Sequence, residues 1–307
     1  MESTSETSLP LGGFGVFILC GGLQERLKGV PMPKCFLHTA MGAPFIECLT
    51  ARMLERGAAF VCLLASGDPY HHAAFVAWKA TMTIRLRKAG HSGLGDKIIL
   101  KKTGGLGTWR DLELASDVVK DSTVTDILIV NGDTVVEVDY RDLANDLQGN
   151  PVNPRGDLTM ILTSLRGVPN EGAFGVADDG RILFSREAYD ARLHLSPEGY
   201  EVRSHLSSTG MMVFKRAAFM NLAVSATIGL PLRTSLEREL LPEYIRNSFE
   251  RSQATNAYRV SVYNNGPKLF FDFGTDSRQH LLSEYGDRVF QCYCRPLMEL
   301  GLIKLAA

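Results

Sequence analysis

The most informative part of the sequence is Phe17-Ile-Leu-Cys-Gly-Gly-Leu-Gln-Glu-Arg-Leu27, which is followed by Pro33-Lys34. The apolar run 14–20 predicts a buried strand that ends at a pair of glycines. Ligands of open α/β sheets bind at the carboxyl ends of the strands. Glycines there let backbone N–H groups approach phosphate oxygens, and Arg26 and Lys34 could neutralise a polyphosphate. An ordinary strand-to-helix turn beside two solvated cations is the alternative interpretation.

Composition narrows the class of protein. The 307 residues are 45% hydrophobic, enough to bury the core of one large α/β domain or two small ones. We expect a disordered tail over residues 1–12, which is rich in Ser, Thr and Glu, and one domain over 13–307. The net charge of −1 makes nucleic acid and anionic membranes poor partners. The sequence does not decide whether the protein forms a homo-oligomer.

The expected location is the cytoplasm. The amino terminus lacks the basic segment of a signal peptide, and no apolar run approaches the roughly 18 residues of a membrane span. Six cysteines are scattered along the chain, several of them in apolar runs, as in a protein from a reducing compartment. Cys292 and Cys294 form a lone C-x-C without a second ligand pair nearby, which disfavours a metal site there.

Strands and helices alternate in the first half, which predicts βαβ units and a mostly parallel sheet. The second half reads as strands and one clear helix, with no internal repeat and no linker. Two stretches interrupt the pattern, 81–96 and 187–207, and are interpreted as surface excursions or as loops beside a ligand. The predicted helices span 44–56, 70–79, 109–119, 235–246 and residues from 275 onward, and the predicted strands span 14–20, 59–65, 98–101, 125–130, 158–165, a hairpin over 175–184, 211–214 and 269–273.

Two acids each follow or end an apolar strand. Asp133, in Asn131-Gly-Asp133, would emerge at the same sheet edge as the glycine pair. A carboxylate there suits a hard cation such as Mg²⁺, although Asn-Gly is also a common turn dipeptide. Asp272 lies among aromatic residues and would be costly to bury without a partner. A shared metal ion or a role as a helix cap would account for it equally well.

Taken in order, these motifs resemble those of the sugar-1-phosphate nucleotidyltransferases. The resemblance runs from about Phe14 to Leu282 through Leu-Cys-Gly-Gly-Leu-x-x-Arg-Leu, Pro-Lys, Leu-Gly-Thr, Asn-Gly-Asp, a Gly-Val hairpin, Thr-Gly-Met-Met-Val-Phe and Asp-Phe-Gly-Thr. It implies a single Rossmann-like α/β domain that makes nucleotide-sugars from an NTP and a sugar 1-phosphate with Mg²⁺. The absence of a repetitive β-helix tail and the Leu-Cys-Gly-Gly opening look most like short guanylyltransferases of mannose or heptose 1-phosphates.

The same resemblance implies roles for individual residues. Arg26 and Lys34 would be catalytic, and Asp133 and Asp272 would hold the metal. The nucleotide would contact Leu19, Gly21, Gly22, Leu106 and Gly107, and the sugar would face Gly175, Thr209 and Gly210.

The chain also departs from the family pattern. Gln24-Glu25 precede the arginine where the family has Gly-Thr or Gly-Ser, and Trp109-Arg110 follow the Leu-Gly-Thr motif where small residues are usual. Ser208 stands where the family often has a sugar-binding asparagine. The Glu-Lys pair that usually follows the hairpin in the family is replaced by Ser185-Arg186-Glu187, so Glu187 matches the family's glutamate only weakly. Uridylyl or thymidylyl transfer, and a catalytically weak ligand-sensing relative, therefore remain alternatives.

Overall fold

The protein is described by a computed structural model. The described residues are 9–20, 33–36, 43–65, 67–149, 155–164, 173–177, 182–186, 193–194, 204–225, 234–251, 260–272 and 293–303. Within these ranges, no helix has the length and apolar composition needed to cross a membrane.

Twelve strands are found in the described residues. They are β1 Phe14–Cys20, β2 Phe60–Ala65, β3 Ile98–Lys102, β4 Asp126–Asn131, β5 Thr134–Val136, β6 Leu158–Thr163, β7 Ala173–Val176, β8 Ile182–Arg186, β9 Leu193–His194, β10 Ser204–Lys215, β11 Val260–Asn264 and β12 Phe270–Asp272.

Nine helices accompany them in the same part of the chain, besides a 3₁₀ turn over Lys34–Phe36 and a π-helical turn over Leu236–Leu240. They are α1 Phe45–Glu55, α2 Pro69–Lys88, α3 Ser92–Asp96, α4 Thr108–Leu114, α5 Ser116–Lys120, α6 Tyr140–Asp146, α7 Arg216–Ser225, α8 Leu241–Arg251 and α9 Arg295–Glu299.

The predicted α/β architecture is confirmed, with one mixed central sheet, parallel among its first four strands, flanked by helices. Ten strands form one sheet in the order β3-β2-β1-β4-β10-β7-β8-β9, and β6 pairs with both β10 and β11. The first four strands are mutually parallel. Strand β10 runs antiparallel to β4 and opens an antiparallel half formed with β6, β7 and β8. A separate ribbon is formed by β5 and β12.

The core has one layer on each face of the sheet, because alternate residues of a strand point to opposite sides. Val16 and Ile18 of β1 belong to the cluster that includes buried residues of α1, α2 and α9. Phe17, between them, belongs to the opposite cluster with α4, α7 and α8, where it stacks on Phe219 at a ring distance of 5.9 Å.

The predicted start of the domain is wrong by a few residues. Leu11, placed in the predicted disordered tail 1–12, is fully buried, and its N–H donates to the carbonyl oxygen of Arg56 at 2.9 Å. The ordered fold therefore includes residues 9–12, whereas 1–8 lie outside the described residues.

The interpretation of 81–96 as a surface excursion is also wrong. Helix α2 continues to Lys88 and is followed by α3. Its buried side chains are Phe75, Trp78, Met82 and Leu86, a sparse stripe that keeps helical spacing while basic residues occupy the solvent side. Similarly, β9 and the start of β10 lie within the stretch 187–207, and the predicted helix 109–119 is divided into α4 and α5.

Candidate active site

The carboxyl ends of the four parallel strands lie level with one another. Leu19 is paired with Asn131 of β4, and Cys20 with Ala65 of β2, which is in turn paired with Lys102 of β3. The segments that follow these strands therefore leave the sheet along one edge. This edge is where open α/β sheets bind ligands.

A close backbone contact fixes the turn after β4. The N–H of Gly132 donates to the carbonyl oxygen of Leu19 at 3.0 Å. A Cβ at residue 132 would lie 2.9 Å from that oxygen and 3.1 Å from Sγ of Cys20, so a larger residue would push the turn away from β1. Glycine thus holds Asp133 beside the end of β1.

Lys34 and Asp133 are brought together at this edge. Lys34 Nζ lies 3.4 Å from Asp133 Oδ2, and their side chains are only 14% and 27% exposed. The 3₁₀ turn that carries Lys34 is anchored by Phe36, whose ring contacts Phe75 at 4.9 Å between centroids. Lysine and carboxylate are therefore held in a partly desolvated setting, where charges interact more strongly than in water.

Cys20 contributes no charge to this cluster. Burial raises the pKa of its thiol well above the ordinary value, and the neighbouring Cys35 and Asp133 raise it further. The thiol is therefore neutral at physiological pH, and the negative charge beside Lys34 comes from the carboxylate of Asp133.

The ribbon of β5 and β12 places the backbone of Asp272 near Asp133. Asp272 is paired with Thr134, the residue that follows Asp133. Directly opposed residues of an antiparallel pair have Cα atoms about 4.5–5.5 Å apart, and neighbouring Cα atoms are about 3.8 Å apart. The Cα atoms of the two acids are therefore within about 9 Å. Only the backbone of Asp272 belongs to the described part of the chain.

The segment after β3 forms a glycine-rich loop that is fastened at both ends. At its start, the N–H and the hydroxyl of Thr103 each donate to the carbonyl oxygen of Ala65 at 2.9 Å. At its end, Thr234 N–H donates to Leu106 O at 3.0 Å. Gly107 has φ of +101°, and a Cβ there would overlap the carbonyl of Thr234. Leu106 and Gly107 are thus held by the turn that precedes the π-helix.

A buried carboxylate lies against the same loop. Burial raises the pKa of Asp111, and the hydroxyl of Thr103 and the N–H groups of Leu106 and Gly105 offset only part of that rise. Its Oδ1 is buried without a hydrogen-bond partner among the described residues. The loop is therefore supported by an acid whose charged form is poorly solvated. Nothing in the sequence pattern singled out this residue, since an Asp in the first turn of a helix is ordinary.

Trp109 and Arg110, which follow the Leu-Gly-Thr motif, turn into the fold. Trp109 is fully buried in the core and meets the ring of Phe219 edge-on at 6.0 Å. Arg110 forms an ion pair with Glu113 at 2.5 Å. The departure from the family pattern at 109–110 is thus a feature of core packing.

The Thr209-Gly210 pair forms an irregularity in β10. Thr209 is fully buried, and its hydroxyl donates to Ile161 O at 2.5 Å, so that hydroxyl is committed to the sheet. Ser208 Oγ accepts the N–H of Gly210 at 3.2 Å. Gly210 has φ of +67°, and a Cβ on it would overlap the side-chain amide of Asn131. Asn131 and Gly210 thus meet beside the Asp133 turn, a contact that sequence reasoning missed.

Gly175 lies farther along the antiparallel half. It is buried in β7 and is paired with His205 of β10, three residues before Ser208. Gly21, Gly22, Arg26, Gln24, Glu25 and Glu187 lie outside the described residues. The described edge therefore brings together Leu19, Lys34, Asp133, Gly210 and the backbone of Asp272.

The donor set at this edge fits a magnesium ion that takes most of its ligands from substrate. No group of three or more His, Cys, Asp or Glu in the described ranges could hold a metal. Mg²⁺, however, is commonly bound by one or two carboxylates, with water and phosphate oxygens completing its six ligands. A partly exposed Asp133, with Asp272 in the facing strand, meets that requirement.

Neither the known protein-family models nor the curated protein sequences include a match to this chain. Solved structures do match. HddC from Yersinia pseudotuberculosis is 18% identical with a TM-score of 0.59, and the match covers 88% of this chain and 98% of HddC. The same protein complexed with GMP-PN gives a TM-score of 0.58 at the same identity and coverage.

Two further structures carry different names. A Bacillus anthracis protein assigned as a glucose-1-phosphate thymidylyltransferase, in complex with sucrose, gives a TM-score of 0.61 at 14% identity and covers 89% of this chain and 95% of its own. The inositol-1-phosphate CTP transferase of T. maritima gives a TM-score of 0.57 at 12% identity, and the match covers 90% of this chain and 96% of the transferase. Over nearly its whole length, the chain has the fold of these proteins.

Proposed function

We propose that this protein is a sugar-1-phosphate nucleotidyltransferase, which transfers a nucleotidyl group from an NTP to a sugar 1-phosphate and releases pyrophosphate. The observation that carries the proposal is the Lys34–Asp133 contact of 3.4 Å at the carboxyl edge of the parallel sheet. The fold adds support, since the matched structures include a thymidylyltransferase and a CTP transferase that act on 1-phosphates.

The chemistry asks the protein mainly for positioning and charge neutralisation. A phosphate oxygen of the sugar 1-phosphate attacks the α-phosphorus of the NTP, and pyrophosphate leaves. No covalent nucleophile from the protein is required. Lys34 would offset the negative charge of the reacting phosphates, as would Arg26, which the resemblance assigns to the triphosphate.

Asp133 and Asp272 would hold Mg²⁺, which supplies Lewis-acid neutralisation of the phosphate oxygens when bound. Lys34 also partly neutralises the charge of Asp133, at 3.4 Å. Asp133 would thus place the metal and Lys34 at the same edge, and both would supply positive charge to the reacting phosphates.

GTP is the favoured nucleotide in this proposal. HddC, which matches this chain across 98% of its own length, has been solved in complex with GMP-PN. The burial of Trp109 in the core removes one reason to regard the protein as a weak, ligand-sensing relative. The described loop at Leu106 and Gly107 would line the base, and Gly210 would face the sugar.

The direct test is pyrophosphate release across a panel of four NTPs and several sugar 1-phosphates. We expect release with at least one pair, and the fastest turnover with GTP. Faster turnover with UTP, dTTP or CTP would correct the base and keep the reaction. No release with any pair, from a folded protein supplied with Mg²⁺, would contradict the proposed reaction.

A lysine substitution ties the activity to this edge. Lys34→Ala should lower kcat about 10²-fold or more, since one preorganised charge acting on the transition state contributes that much. Lys215→Ala is the matched control, because Lys215 forms a similar 3.2 Å contact with Asp157 and is paired with Asp126 at the opposite end of β4. Equal turnover of the two variants, with equal melting temperatures, would refute the assignment of Lys34.

A further inference from the structure

A cavity of about 580 Å³ lies away from the candidate active site. Its wall is formed by the last turn of α1, the segment 137–141 that runs from the end of β5 into the first turn of α6, Lys268 before β12, and α9. The backbone carbonyl oxygen of Arg56, a residue of this wall, accepts the N–H of Leu11 just before β1. The cavity therefore lies near the amino end of that strand. It has no role in the chemistry proposed above.

Acidic groups in the cavity wall are already engaged. Glu55 forms an ion pair with Arg56 at 3.0 Å, and Glu299 with Arg295 at 2.9 Å. Asp139 accepts the N–H groups of Arg141 and Asp142 at the start of α6, and these bonds, that of Asp142 first, lower its pKa. Glu137 accepts the N–H of Leu269 at 3.3 Å.

The cations of the wall are less completely used. Five basic and four acidic side chains line the cavity. Arg141 and Lys268 line the cavity without a side-chain hydrogen bond or ion pair among the described residues, and both attract the carboxylate of Asp139, whose pKa they help to lower. An Arg guanidinium presents a planar fork that matches phosphate oxygens, and a Lys ammonium adds a point charge.

Arg52 provides a rigid cationic floor. Its side chain is buried, and its guanidinium lies over the rings of Tyr140 at 5.1 Å and Tyr293 at 4.6 Å from the centroids. One N–H donates to Val138 O at 3.2 Å. A guanidinium fixed by two rings loses little conformational entropy when an anion approaches, which favours binding.

The β5–β12 ribbon separates this cavity from the candidate active site. Asp133 precedes β5 and Glu137 follows it, so Glu137 is four residues beyond Asp133 along an extended segment. At about 3.3 Å per residue, this spacing is about 13 Å. A small molecule in the cavity could not also contact Lys34 and Asp133.

We propose that this cavity is a second binding site, specific for a small phosphorylated compound whose phosphate group is bound by Arg141 and Lys268 above Arg52. The volume admits a molecule of the size of a sugar phosphate, within the usual range of ligand pockets. The proposal does not depend on the reaction at the other edge, because it rests on the charges and contacts of the cavity alone.

The test measures binding of inorganic phosphate by ³¹P NMR titration, in a Lys34→Ala background that weakens phosphate binding at the other edge. We expect the double variant Arg141→Gln, Lys268→Gln to weaken the remaining binding at least ten-fold. Arg87→Gln, Lys88→Gln is the matched control, since it removes one exposed Arg and one exposed Lys from α2 with the same change of net charge. Its affinity should stay within two-fold.

Two results would overturn the proposal. One is unchanged phosphate affinity in the cavity double variant, and the other is an equal loss in the α2 control, which would mean non-specific attraction to surface charge. Melting temperatures are compared first, and they should be unchanged because Arg141 is exposed and Lys268 is only half-buried. If the double variant unfolds, the single Lys268→Gln variant carries the test and should weaken binding at least three-fold.

Discussion

Lys34 and Asp133 are 99 residues apart in the chain, yet their side chains meet at 3.4 Å. Two local features of the sequence produce this contact. Gly132 lets the turn after β4 press against Leu19, and Phe36 anchors the 3₁₀ turn against α2. The contact therefore follows from backbone geometry and core packing as much as from charge.

Gly210 is the clearest example of a single residue that shapes the site. Its φ of +67° costs a residue with a Cβ about 1–2 kcal/mol, and a Cβ would also overlap the amide of Asn131. Gly266 has the same φ with open space around it, so it separates the two effects. Gly210→Ala should thus destabilise the protein more than Gly266→Ala, by about 1–3 kcal/mol.

Chemical unfolding of both variants measures this difference. The same pair is assayed for pyrophosphate release, where Gly210→Ala should raise KM for the sugar 1-phosphate and Gly266→Ala should not. Equal stability losses in the two variants would show that the close approach of Asn131 is not maintained in solution.

Among the secondary-structure elements, the loop between β3 and α4 has the most unusual electrostatics. Asp111 supports it with a carboxyl whose pKa is raised, chiefly by burial. A raised folded-state pKa means that the folded protein binds the proton more tightly than the unfolded chain does. Asp111 therefore destabilises the fold increasingly as pH rises from the unfolded pKa, near 3.8, through the folded value.

Asp111→Asn should remove this pH-dependent loss. The melting temperature of the variant relative to the parent should be higher at pH 7.5 than at pH 4.5, since the asparagine oxygen still accepts the loop N–H groups and carries no charge. Asp117→Asn, an exposed acid on α5 paired with Lys101, is the control. A variant whose relative melting temperature falls as pH rises would contradict the sign of the Asp111 shift.

At the level of the whole molecule, the parallel half of the sheet was predictable and the ribbon was not. Strands β1, β2 and β4 are continuous apolar runs ended by glycine-containing turns, a pattern typical of strands buried on both faces. The three residues of β5 are too few to show any period. Yet β5 brings Asp272 opposite Thr134, and the sequence indicated the proximity of the two acids only through their places at the ends of apolar strands and through the family motifs.

The length of α2 was missed for a related reason. Sequence patterns identify a helix by its apolar stripe, and that of α2 becomes sparse beyond Trp78, with Met82 and Leu86 alone buried. The burial of Trp109 was also missed, since the sequence showed only that a large residue follows the Leu-Gly-Thr motif where small residues are usual. Tertiary packing against Phe219 decides its place.

We propose that the edge carrying Lys34, Asp133 and Asp272 performs metal-dependent nucleotidyl transfer. The most direct measurement is the rate of pyrophosphate release during a Mg²⁺ titration, for the parent, Asp133→Asn, Asp272→Asn and the control Asp157→Asn, whose acid pairs with Lys215 at 3.2 Å. We predict Mg²⁺-dependent release by the parent and the control, and loss of release in both other variants with unchanged melting temperatures. Full activity of either Asp133→Asn or Asp272→Asn, or release unaffected by removal of divalent cations, would contradict the claim.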